Sequence, residues 1–105
     1  MSLDFYLEVV RPTAVYESNI THNLSRMARE AGIYEALWSS EQFKTAAELI
    51  PILNKGISAM ENDPARFKVH DAKNGWGTYE QFLPWVRQVL VACVENPEAV
   101  PRSSC

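Results

Sequence analysis

Two segments of the chain open with the same phrase, Thr45-Ala-Ala-Glu48-Leu-Ile-Pro51 and Thr78-Tyr-Glu-Gln81-Phe-Leu-Pro84. In each, the threonine oxygen accepts from the amide three residues on, and the Glu or Gln at that position reaches back to the threonine amide. Two donors that a helix start leaves unpaired are satisfied together. The residues after each pin have helical period. Ala46, Leu49, Ile50, Leu53, Ile57 and Met60 share one face of a helix over 45–62. Tyr79, Phe82, Leu83, Trp85, Val86, Val89, Leu90, Ala92, Cys93 and Val94 spread over roughly 200° of a helix over 79–95. A helix so broadly apolar is either central or faces a partner as well as the core. Each proline falls past the first turn, so it removes one intrahelical bond and bends its helix near the start. The echo reads as repeated helix-start chemistry, because the flanking residues do not repeat.

Around these two helices the pattern predicts an α+β, mainly α fold with four to five helices, an N-terminal β-strand and the option of a short C-terminal strand. Leu3, Phe5, Leu7 and Val9 alternate with Asp4, Tyr6, Glu8 and Val10, which is the period of a half-buried strand. Arg11-Pro12-Thr13 ends it, and the chain through Glu17 reads as loop. A helix is expected from Ser18 or Asn19 to Ala31, with Ile20, Leu24, Met27, Ala28 and Ala31 on one arc and Gly32 closing it. Ile33–Trp38 reads as a short second helix. Asp63-Pro64 caps another through about Lys68, and Asn74-Gly75-Trp76-Gly77 is a tight turn. Residues 1–100 form one domain and 101–105 a tail. Ala99-Val100 is placed to pair with residues 3–10; without such a neighbour the N-terminal strand has an open edge that a second protomer can fill.

Composition narrows the function. With 105 residues, 47% apolar and 22% charged, the chain is one globular domain. Ten Lys and Arg against thirteen Asp and Glu give a net charge of −3, so no broad positive field gathers phosphate, and nucleic-acid binding is a minor alternative. No apolar run approaches the roughly 18–20 residues of a membrane span. Met1-Ser2-Leu3-Asp4 lacks the positive start and apolar stretch of a secretory signal, which points to a cytoplasmic protein. Cys93 and Cys105 make no disulfide framework, and Cys93 sits among Val and Ala as a core residue. Two histidines 48 residues apart, without H-x-x-x-H or C-x-x-C, give no metal site, and no cofactor is expected. Neither a G-x-S-x-G elbow nor a phosphate-binding loop is present.

The densest polar run is Ser18-Asn-Ile-Thr-His-Asn23. On the expected helix His22 lies opposite the apolar stripe, with Asn19, Asn23, Arg26 and Glu30 in an adjacent polar row. A neutral imidazole in a first helical turn suits proton transfer or hydrogen bonding, and Arg26 suits an anion. Asn19, His22, Asn23 and Arg26 are therefore the candidate binding residues, with Tyr16 or Trp76 lining the approach. Trp76 stands out among the aromatics because glycines flank it in a turn. The competing interpretation of the polar run is a capped, solvated helix start.

Asn-Ile-Thr-His-Asn-Leu at 19–24, Glu-Ala-Gly-Ile-Tyr-Glu-Ala-Leu-Trp at 30–38 and Asn-Gly-Trp-Gly-Thr-Tyr-Glu at 74–80 together resemble a family of small bacterial and phage-encoded proteins. The resemblance spans nearly the whole chain. It implies one compact, mainly helical unit and an accessory gene of mobile-element origin, and assigns no catalytic role to any residue. The expected function is a non-enzymatic protein-interaction module that self-associates through the strand edge or the broad apolar helix. The alternatives are an anion binder or small enzyme on the His22, Asn23 and Arg26 surface, and a weak DNA-binding regulator using Arg26 and Arg29.

Overall fold

Leu3, Phe5 and Leu7 are fully buried along β1 (Ser2–Val10), as the alternation requires. A computed structural model describes residues 2–10 and 13–104 of the chain. β1 is the middle strand of a three-stranded antiparallel sheet, with β2 (Thr13–Thr21) on one side and β3 (Val100–Ser104) on the other. Leu3 pairs with Ile20, Phe5 with Ser18 and Leu7 with Tyr16. On the other side Phe5 faces Ser103 and Leu7 faces Pro101. Among the described residues five helices pack on the face that carries Leu3, Phe5 and Leu7: α1 (Ser25–Ala31), α2 (Tyr34–Trp38), α3 (Leu49–Asn62), α4 (Pro64–Lys68) and α5 (Tyr79–Glu95).

Strand β2 corrects the sequence reading. Residues 13–17 are strand, not loop, and Ser18 and Asn19 belong to the strand, not to a helix start. The period was present: Ala14, Tyr16, Ser18 and Ile20 are part-buried while Val15, Glu17 and Asn19 are exposed. A polar residue on the inner side concealed it. Ser18 is there because its Oγ accepts from Trp85 Nε1 of α5 at 2.7 Å, which gives a buried indole its acceptor. The helix begins later, through a 3-10 turn at His22–Leu24, and its apolar arc is Leu24, Met27, Ala28 and Ala31 without Ile20.

The N-terminal strand accordingly has neighbours on both sides, and the sheet edges are β2 and β3. The pairing of Val100 with Glu8 fulfils the option of a C-terminal strand, which takes in residues 101–104 that read as tail. The outer edge of β3 is occupied. Ser103 N donates to Glu41 Oε2 and Ser40 N to Ser103 Oγ, both at 3.1 Å, from the turn after α2. Pro101 is tolerated because β3 is an edge strand. On the sheet face away from the helices, Arg102 reaches the nearly inaccessible Glu8 carboxylate at 3.1 Å and lies 4.5 Å from the Tyr6 ring centroid.

Both capping boxes form. Thr45 N donates to Glu48 Oε2 and Thr78 N to Gln81 Oε1, each at 3.1 Å. After Thr45 the first turn is 3-10 (Ala46–Glu48), so Pro51 falls in the opening turn of α3, where it removes no intrahelical bond; Pro84 lies inside α5. Pro64 opens α4 at its first turn. Phe67, Phe82, Leu53 and Met60 complete the core between α3, α4 and α5, each contributing roughly 1.5–3 kcal/mol by burial. Among the described residues no helix is long and apolar enough to cross a membrane.

Candidate functional site

At the end of β2, Thr21 Oγ1 accepts from Asn23 N at 3.3 Å and turns the chain into α1. This turn directs His22 toward α2, where its Nδ1 accepts from Trp38 Nε1 at 2.9 Å. The two rings meet edge to face, 6.0 Å between centroids. Tyr34 stacks on Trp38 at 5.4 Å with planes 4° apart, and the Arg29 guanidinium lies 3.7 Å from the Tyr34 ring centroid. His22, Trp38, Tyr34 and Arg29 thus form one continuous line of ring contacts from the 3-10 turn across α1 and α2. An indole N–H can only donate, so the imidazole lone pair that faces it is Nδ1 and the proton of the neutral ring sits on Nε2. In this arrangement His22 is a donor at Nε2. To accept a proton at Nδ1 it would have to release Trp38.

The other expected residues separate. Asn19 is on β2, where its side-chain amide donates to Asp4 Oδ1 and Ser2 Oγ, each at 3.1 Å, across the sheet face away from the helices. The helical row that was to join Asn19 to Asn23, Arg26 and Glu30 is therefore absent. Asn23 Nδ2 donates to the Trp76 carbonyl at 2.8 Å, so the 74–77 turn does come to the start of α1. Its indole, however, is 73% exposed and lines none of the three clefts described below. Trp76 N donates to Asn74 Oδ1 at 3.0 Å, and Gln81 holds the turn through Gly77 N and Gly75 O. Tyr16 packs edge to face on Phe5, and at about 3.4 Å per residue it lies roughly 17 Å along the strand from Thr21. Arg26 is exposed on α1. Glu30 is engaged by Arg66 at 2.7 Å, whose hydrogen bond holds its carboxyl below the usual range, with His70 close by. What Glu30 contributes to stability is present above the ordinary carboxylate pKa and is lost as pH falls.

Two surface clefts lie elsewhere. One, of about 340 Å³, is lined by Tyr16, Arg87, Gln88, Val91, Ala92 and Glu95. The other, of about 560 Å³, is lined by Val9 and residues 95–99. They share Glu95, so the β1–β2 hairpin and the C-terminal half of α5 bound one strip. Val91, 54% exposed, and Val9 line it, and Val94, 57% exposed, lies three residues further along α5. A third cleft, of about 300 Å³, is lined by Asp4, Tyr6, Glu17, Ser18 and Asn19. His22 lines none of these three. No family model, curated protein or solved structure matches the chain.

Sequence reasoning assigned His22 no role toward Trp38, Tyr34 and Arg29, because contacts between separate elements leave no periodic signal. Val91 left one, since it falls outside the apolar face drawn for α5; Val94 was counted on that face but is exposed. Among the described residues no three His, Cys, Asp or Glu side chains gather as around a metal ion. Burial pushes the Cys93 thiol up to about 12, which keeps it protonated and unreactive at neutral pH; Cys105 lies outside the described residues. Replacing His22 with Ala removes the acceptor of the buried Trp38 indole and is expected to cost about 1 kcal/mol. The indole N–H proton of Trp38 should move in the NMR spectrum; an unmoved resonance would show that the bond contributes nothing.

Proposed function

We propose that the protein is an accessory protein-interaction module that self-associates, and that its working surface is the strip between the β1–β2 hairpin and α5. The observation that carries this is the exposure of Val91 and Val94 on the longest helix among the described residues, with Val91 beside Tyr16 and Val9 on the adjoining cleft. Unpaired apolar side chains along a rigid helix stay in water at a cost of roughly 25 cal/mol per Å² that a partner removes. The polar candidates point the same way, since His22, Asn19 and Asn23 are bonded to Trp38, Asp4 and Trp76 within the fold.

Of the two expected routes to self-association, the helix is favoured over the sheet edge. Glu41 and Ser40 occupy β3. β2 carries a bulge between the Leu7–Tyr16 and Glu8–Ala14 pairs that leaves Val15 unmatched, and Glu17 and Asn19 are exposed along it. Bulges and polar residues on an edge strand disfavour strand addition. Size-exclusion chromatography with light scattering, from about micromolar to about millimolar protein, should show the mass rising from monomer to dimer in the usual range for small interfaces. A constant monomer mass throughout would remove the self-association reading.

A further inference from the structure

We infer that the strip is occupied by a second copy of the chain, docked antiparallel along α5 about a two-fold axis through Val91. This rests on the self-association reading above and specifies its geometry. Arg87, Val91 and Glu95 are all exposed and follow one another at four-residue intervals, about 6 Å apart along the helix. Such a row is the ridge that packs when two helices cross at about −50°. Under a two-fold axis at Val91, residues equally spaced on either side of it face each other. Val91 meets Val91, Val94 meets Gln88, and Arg87 meets Glu95 of the second copy, twice over. A parallel arrangement would instead set arginine on arginine and glutamate on glutamate, so the charges select the antiparallel one.

The groups involved have capacity for this. Arg87 uses Nη2 on Glu61 Oε2 at 2.5 Å, which leaves Nε and Nη1, and the Glu95 carboxylate has no partner among the described residues. A standard interface buries about 800 Å² per partner, about one seventh of the 5868 Å² surface of this chain. The outer row of α5 is too narrow to supply that alone. Tyr16 on one flank and Pro97 on the other extend the contact, and a centre built on one valine, without a buried aromatic or arginine anchor, gives an expected affinity near micromolar or weaker.

Two measurements on the full chain test the geometry. In a Cys105→Ser background, Val91→Cys should form a disulfide-linked dimer on mild oxidation, because residues on the axis bring their Cα atoms within about 7 Å. Val69→Cys, at a valine 76% exposed elsewhere, should remain monomeric. Glu95→Arg should weaken dimerisation roughly tenfold by placing arginines opposite each other, and Arg87→Glu combined with Glu95→Arg should recover most of the loss. Circular dichroism of each variant checks that the fold is intact. A wild-type dimer in which Val91→Cys links no faster than Val69→Cys, or in which the double variant stays as weak as Glu95→Arg, overturns this interface and leaves self-association standing. A wild-type chain that is monomeric throughout overturns both.

Discussion

Gly77→Ala is expected to destabilise the fold by about 2–4 kcal/mol, although it adds a single methyl group, at the buried end of the 74–77 turn. The backbone at Gly77 has φ +114°, a conformation that a residue with a Cβ adopts only under strain of roughly 1–3 kcal/mol. A Cβ there would also lie 3.0 Å from Asn23 Cβ, 3.2 Å from Thr21 Cγ2 and 3.4 Å from Leu24 Cγ. These are the residues that turn β2 into α1, and Leu24 is fully buried beneath them. Relief by moving the turn is blocked, because Gly77 N donates to Gln81 Oε1 at 3.0 Å and Gly77 O accepts from Ala72 N at 2.9 Å. Gly32→Ala is the natural control. Gly32 also has a positive φ, +78°, but nothing lies within 4 Å of the added carbon, so only the left-handed backbone penalty of about 1–2 kcal/mol applies. Urea denaturation of the two variants separates the terms. Equal losses would show that crowding against Thr21 and Asn23 has no effect and that backbone conformation alone sets the cost.

The same turn marks how far the sequence could be followed. Helix starts were legible because their chemistry is local: Thr45 with Glu48, Thr78 with Gln81, and Pro64 after Asp63 each satisfy donors within a few residues. β1 was legible because three large apolar residues fall on one side of it. β2 was not, since its inner side carries Ser18 between Tyr16 and Ile20, and the value of a hydroxyl there depends on Trp85, 67 residues away. The run from Ser18 to Asn23 then resembled a helix cap because cap residues and strand-to-helix turn residues are the same small polar types. Of the candidate site, only the joining of Asn23 to the Trp76 turn matched the grouping drawn from sequence, and it runs through the Trp76 backbone, not its ring. The exposed valines of α5 were harder to weigh, because a wheel reports which residues are apolar and not how many neighbours arrive to cover them. α3 covers one flank of that helix and β2 another, and Val91 and Val94 remain outside both.

Gly56 is the position where local propensity and packing disagree most, and packing should win. In a helix interior, alanine is favoured over glycine by about 0.8–1 kcal/mol, so Gly56→Ala ought to stabilise α3 if the surroundings were open. They are closed. An added Cβ would stand 2.3 Å from Ile33 Cγ2 and 3.2 Å from the Ala31 carbonyl oxygen, where the chain between α1 and α2 crosses α3. Ile33 is fully buried, and its β-branch has few other rotamers to adopt. The overlap must be relieved by moving a helix in a close-packed core, which costs roughly 1–3 kcal/mol and at the upper end more. Gly56→Ala should therefore lose about 2 kcal/mol net in a denaturant titration. Ile33→Leu moves the branch from Cβ to Cγ at nearly constant volume and removes the atom that the added methyl group would strike. In that background Gly56→Ala should be close to neutral or slightly stabilising, giving a coupling of about 2 kcal/mol in the double-mutant cycle. Strict additivity of the two substitutions would mean that α3 and the α1–α2 junction do not meet at Gly56. The three atoms nearest the added carbon belong to Ala31 and Ile33 and none to α5, so the cycle also separates stability from assembly: a Gly56→Ala variant that is less stable yet dimerises unchanged is the expected behaviour if the interface is built on Arg87, Val91 and Glu95.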